Sequence, residues 1–167
     1  MTNSPELLSL RNALITCLGH GQALKEALND LAKRDFGTDD LDLERLTKDD
    51  RRLLDQFAYR YTRLQDDMGS RLIPATLRML EEEIASMAML DRLNRLEQLG
   101  WLPSAEEWIR LRAIRNEFTH DYPEDVAERY ERLELAIISA KRLRELIAGF
   151  ERKVKERWPG GQMPGFL

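Results

Sequence analysis

A single cysteine, Cys17, and only two histidines, His20 and His120, stand among the 167 residues. One thiol rules out an internal disulfide and a cysteine-based zinc site, and it fits a reducing compartment. Two imidazoles confine neutral-pH proton transfer to two places. Glycine and proline are sparse, and strand formers in alternation are hardly present. No apolar run reaches the roughly 18 residues a membrane-spanning helix needs. The opening Met1-Thr2-Asn3-Ser4-Pro5-Glu6 has neither the basic stretch nor the apolar stretch of a secretory leader. A cytoplasmic protein without membrane contact is therefore expected. Basic excess is missing too: a net charge of -4 exerts no overall pull on nucleic acid. Polyanion binding must come from a local patch or from a surface made by two chains.

What is present is helical. Hydrophobic residues make up 43% and charged residues 34% of a chain of single-domain size, and Leu, Ala, Glu, Arg and Met dominate. Ser4, Pro5 and Glu6 form a helix start. Apolar residues then recur at three- and four-residue intervals from Leu7 to Leu31. Gly19-His20-Gly21 interrupts this stretch, where it either kinks the helix or admits a neighbour closely. An Asp-rich connection follows, and Thr47-Lys48-Asp49-Asp50 opens a second helix as a capping box. That helix buries Leu53, Leu54, Phe57, Tyr61, Leu64 and Met68, and Arg60, Arg63, Gln65, Asp66 and Asp67 fall on its polar face. Gly69-Ser70 reads as a break or bend. Pro74 then begins a third helix over 75–99, whose inner side includes Leu77, Leu80, Ile84, Met87, Leu90 and Leu93. Gly100 is a left-handed cap, and Ser104-Ala105-Glu106-Glu107 is a full capping box for a fourth helix over 105–119. Pro123 precedes a long final helix that ends near Trp158-Pro159-Gly160-Gly161. Short connections between long amphipathic helices predict an all-α, antiparallel four-helix bundle with an additional short helix, one domain over 1–158 and a flexible tail over 159–167.

One stretch concentrates chemistry: Arg115-Asn116-Glu117-Phe118-Thr119-His120-Asp121-Tyr122 before Pro123. A guanidinium holds a phosphate with paired donors at any pH, and an imidazole takes or gives a proton near neutrality. Tyr122 adds a hydroxyl and Asn116 an orienting amide. On an ideal helix, positions five apart are rotated by roughly 140°. Either the helix ends before His120, so that the imidazole swings back, or two copies pool their arginines and histidines across a dimer axis. With no dense carboxylate cluster beside the histidine, a metal-independent reaction is expected, with neither metal nor cofactor. As bare spacing the motif is weak, because a helix-end histidine usually satisfies only a carboxylate or the helix dipole.

Arg115-Asn116, His120 and Tyr122 match R-N-x-x-x-H-x-Y, so the chain resembles the HEPN domain family and looks most like its HepT-type toxin branch. Gly100-Trp101-Leu102-Pro103, Arg112 one turn before the motif, and the aromatic-and-polar second helix are similar as well. The match spans roughly 96–135. The resemblance implies a HEPN-like bundle acting as a homodimeric, metal-independent endoribonuclease toxin of a toxin–antitoxin pair. In it Arg115 binds and stabilises the phosphate and His120 is general base or acid. Asn116 orients the substrate, and Arg112 joins it in substrate binding. Attack by the ribose 2′-hydroxyl leaves a cyclic phosphate. The implied partner is a minimal nucleotidyltransferase antitoxin that blocks the toxin by modifying Tyr122 with AMP. The acidic balance departs from what RNA binding favours, although Arg110, Arg112 and Arg115 can form a positive strip offset by Glu106, Glu107 and Glu117.

Two other readings stand beside this one. The chain can be a non-catalytic subunit that docks a nucleotidyltransferase or presents a substrate to it, or a helical interaction protein in which the motif is coincidental. His20 reads as a packed or capping residue. Arg60, Arg63, Asp66 and Asp67 read as a solvated face that can border the cleft.

Overall fold

The computed structural model describes residues 4–120 and 124–160, without the side chain of His120. The described residues are helical with no strand: α1 (Pro5–Arg34), α2 (Lys48–Asp67), α3 (Ile73–Met79), α4 (Met89–Gln98), α5 (Ala105–His120) and α6 (Val126–Arg157). Among them, no helix is long and apolar enough to cross a membrane.

Ser4 Oγ accepts the Leu7 N–H at 3.1 Å with Pro5 in the first turn, so α1 starts where its cap residues place it. Its stripe of Leu10, Leu14, Leu18 and Leu24 is almost wholly buried. At the Gly19-His20-Gly21 interruption the close approach is realised: α6 reaches Gly21, whose carbonyl accepts from Arg144 Nε at 3.0 Å. α1 packs along α2, α3 and α6, and α5 is held between α2, α4 and α6.

α2 opens on the capping box: Thr47 Oγ1 accepts the Asp50 N–H at 3.0 Å and Asp50 answers the Thr47 N–H. The Asp50 carboxylate is also gripped by Arg34 Nε at 2.7 Å, which holds it below the usual carboxylate range. Of the break or bend read at Gly69-Ser70, the break is not there. The helix widens into one π turn, Met68–Leu72, and runs on as α3. Pro74 has no N–H to return to the carbonyl four residues back, and the wider turn absorbs that missing bond. Nor is 75–99 one helix. It stops after Met79, Glu81 takes a left-handed φ of 62°, and a short 3₁₀ turn, Ile84–Ser86, leads into α4. Three carboxylates, Glu81 to Glu83, are poor company for the negative end of a helix. Arg92 and Arg95 then fix the connection, Arg92 Nη2 donating to the Ile84 carbonyl at 2.9 Å and Arg95 Nε to Glu82 at 2.8 Å. This re-routing leaves Leu90, expected inside, 52% exposed.

Gly100 ends the α4 turn with φ 80°, the predicted left-handed cap. Ser104 Oγ accepts the Glu107 N–H at 3.0 Å, but the Glu107 carboxylate is engaged by both arms of Arg142 on α6, at 3.0 Å each. The capping residue thus doubles as a tie between α5 and α6. At the far end of α6, Trp158 stacks on Trp101 with centroids 6.0 Å apart, and Arg11 donates to the carbonyls of Trp158 and Gly160. The first residues of the expected tail are therefore fastened to α1.

Candidate functional site

Two aromatic residues of α2 seat α5. Phe118 meets Phe57 and Tyr61 edge-on, with centroids 5.7 and 5.8 Å away. That contact turns the next face of α5 toward the C-terminal end of α2, where Arg115 finds Asp66. Arg115 Nη2 donates to Asp66 Oδ2 at 2.8 Å, and Nη1 donates to Asn116 Oδ1 at 3.3 Å and Thr119 Oγ1 at 3.2 Å. Its Nε is buried and has no partner. The Arg115 side chain is 20% exposed, with both terminal nitrogens engaged and Nε buried. Burial pushes the Tyr61 phenol up to about 12, against the opposing pull of Ser139 and the Arg115 charge. Tyr61 is therefore a neutral wall behind the arginine.

Between these elements lies a cleft of about 280 Å³. Gln65, Asp66, Gly69 and Ser70 bring the end of α2 and the π turn to one side. Trp108, Arg112, Arg115 and Asn116 of α5 form the other, with Met89 at the edge. The predicted residues Arg112, Arg115 and Asn116 thus share one cavity. Arg110 does not join them; it pairs with Glu106 at 3.4 Å on another face of α5. A more apolar cavity of about 240 Å³, between Leu41, Leu54, Phe118 and Leu133, lies on the other flank of Phe118.

His120 is the last residue of α5, so the helix does not end before it. Of the two arrangements open in the sequence, the early helix end is overturned. Within one chain, Arg115 and His120 are roughly 140° apart around the axis and about 7.5 Å apart along it. Asn116, four residues before His120, shares its face while lining the cleft and bonding Arg115. Tyr122 lies outside the described residues.

The supposed polar face of α2 is divided between two neighbours. Asp66 turns to α5, whereas Asp67 is buried, its Oδ2 3.1 Å from His20 Nε2 and 4.0 Å from Arg63. Arg60 Nη1 lies 3.5 Å from the other His20 nitrogen. An arginine only donates, so Nδ1 is the accepting side and the Nε2 proton faces Asp67. His20 is a packed residue, as expected. Gln65, placed on the polar face by the sequence, is only 3% exposed, and neither amide atom has a hydrogen-bond partner. Of the face expected to border the cleft, Asp66 does so, whereas Gln65 is the site residue that sequence reasoning missed. Gln65 did leave a signal, since it follows Tyr61 by four residues on the apolar side.

Among the described residues, no three His, Cys, Asp or Glu side chains are grouped to hold a metal ion. No protein-family model matches the chain, and neither a curated protein nor a solved structure matches it.

Proposed function

We propose that this chain is a HEPN-type endoribonuclease, the toxin of a toxin–antitoxin pair, working as a cytoplasmic homodimer on an antiparallel four-helix bundle with an additional short helix. The observation that carries the reading is the guanidinium of Arg115, fixed by Asp66, Asn116 and Thr119 at the edge of a cleft that also holds Arg112. An arginine restrained by its neighbours suits a phosphodiester oxygen better than a freely moving one, because less side-chain entropy is lost on binding.

The reaction follows from these groups. Arg115 takes a non-bridging phosphate oxygen, with Arg112 and Asn116 orienting the strand. An imidazole from His120 removes the proton of the ribose 2′-hydroxyl, whose oxygen attacks phosphorus. The bond to the 5′ oxygen breaks, that oxygen receives a proton from water, and a 2′,3′-cyclic phosphate and a 5′-hydroxyl end remain. The 140° separation on α5 favours an arginine and a histidine from different protomers. An apolar patch supports that pairing: Ile109 is 46% exposed on the face of α5 that carries Asn116 and His120, and Ile138 is 64% exposed on neighbouring α6. A minimal nucleotidyltransferase antitoxin silences the enzyme by adding AMP to Tyr122. The chemistry calls for no metal or cofactor.

One observation favours a second reading. Asp66 sits within bonding distance of the phosphate-binding arginine on a protein of net charge -4, which suits a non-catalytic subunit that docks a nucleotidyltransferase. Purified protein incubated with RNA in excess chelator separates the two. Under the nuclease reading wild type produces cyclic-phosphate ends, Arg115→Ala loses roughly 10²–10³ in rate and His120→Ala roughly 10²–10⁴, and expression arrests growth only with both residues intact. Equal cleavage by His120→Ala, or none by wild type, rejects it.

A further inference from the structure

Gln65 is the one cleft residue whose burial has no structural explanation. Its carboxamide is shielded from water, yet neither Nε2 nor Oε1 meets a partner, and the Arg115 Nε beside the same cleft is likewise unpaired. Buried amides are almost always paired, and one that is not marks a strain or a missing ligand. An apolar residue at this position would pack without the penalty. The π turn that follows immediately, Met68–Leu72, reshapes the same wall of the cleft, and such turns recur at functional sites. At about 280 Å³ the cavity is near the lower end of the range small ligands occupy. It has room for one planar base, not for a strand.

We infer that Gln65 reads the base of the nucleotide whose phosphate Arg115 holds, and that this base is adenine. The inference rests on the nucleotide-cleaving reading above and names its specificity. A carboxamide offers one donor and one acceptor side by side, and for a base entering by its N7 edge only adenine returns the complementary pair, at N7 and the N6 amino group. Guanine presents two acceptors on that edge and is refused by the Nε2–Oε1 pair. The same step explains the shielding. When a phosphate oxygen replaces Asp66 as the partner of Arg115 Nη2, the guanidinium shifts toward the mouth, and the base enters behind it to reach the amide. Trp108 and Met89 supply the apolar border against which the ring lies.

The test is calorimetric titration of the full chain with AMP, GMP, CMP, UMP and ribose 5-phosphate, alongside Gln65→Leu and Gln65→Glu. Wild type should bind AMP roughly tenfold or more tighter than any other probe, and both variants should bring AMP to within about twofold of ribose 5-phosphate. Gln65→Leu should keep or raise the melting temperature, since it removes unpaired buried atoms; this shows that a lost preference is not lost folding. Equal binding of AMP and ribose 5-phosphate by wild type, or an AMP advantage that survives in Gln65→Leu, overturns the inference. Mapping the ends released from a mixed-sequence RNA separates it from the reading beneath it. Cleavage without any adenine preference beside the cut sinks the adenine site and leaves the nuclease standing. Gln65-dependent AMP binding without cleavage retains the site and sinks the nuclease.

Discussion

Asp66 and Asp67 are adjacent in sequence and point to opposite neighbours, because successive helix positions are rotated by roughly 100°. Asp66 holds Arg115 at 2.8 Å while Asp67 faces His20 at 3.1 Å. The second contact has a pH signature. Burial lowers the His20 pKa from 6.5, Asp67 raises it, and Arg60 and Arg63 lower it further, so the net shift is downward. The folded protein therefore keeps His20 neutral where the unfolded chain takes up a proton. The stability this contributes is complete above 6.5 and is lost as pH falls through that value toward the folded pKa. We expect the melting temperature to drop between pH 7.5 and 5.5, and His20→Gln to flatten the drop. Because the chain has only two histidines, His120→Gln is the control, and an identical slope in wild type and His20→Gln excludes His20 as the origin. None of this pairing is legible from the sequence: Arg115 and Asp66 are 49 positions apart, and their contact exists only because Phe118 docks on Phe57 and Tyr61.

Two helix-associated glycines should respond to alanine with opposite signs. Gly100 closes α4 at φ 80°, a region that costs a Cβ-bearing residue about 1–2 kcal/mol. Gly19 lies inside α1, where an added Cβ meets nothing within 4 Å, and alanine is favoured there by about 0.5–1 kcal/mol. Gly100→Ala should lower the melting temperature by several degrees and Gly19→Ala raise it by a few, at about 2–4 °C per kcal/mol for a chain of this size. Thermal unfolding reads both, and a stabilising Gly100→Ala contradicts the cap. The starts of α1, α2 and α5 and the Gly100 cap were legible because each is a local rule satisfied within four residues. The π turn and the break after Met79 were not. The sequence shows Gly69 and Pro74 and suggests a break or bend, but Met68 and Leu72 are fully buried, and keeping them in the core outweighs a local preference to break. Conversely, 80–88 contains neither glycine nor proline; it leaves the helix because carbonyls and carboxylates there are taken by Arg92 and Arg95 on α4.

For the whole molecule the decisive quantity is how one helix distributes the two groups of the proposed chemistry. α5 is helical through His120, which sets that position roughly 140° round the axis from Arg115. Asn116 bridges the two faces, bonded to Arg115 on one side and in line with His120 on the other. In the proposed homodimer, a C2 axis beside this helix would place one protomer's arginine opposite the other's histidine. The proposed enzyme should then be rescued by mixing defects. Arg115→Ala and His120→Ala homodimers are each inactive, but unfolding and refolding them together yields heterodimers that retain one intact arginine and one intact histidine on different chains. Recovered cyclic-phosphate formation, approaching half the fraction of heterodimers made because one of the two pairs is intact, is the expected result. If both groups act from the same chain, the mixture stays as inactive as its parts, because no protomer in it carries the pair. A mixture without activity, from variants that refold and associate normally, therefore rejects the shared site.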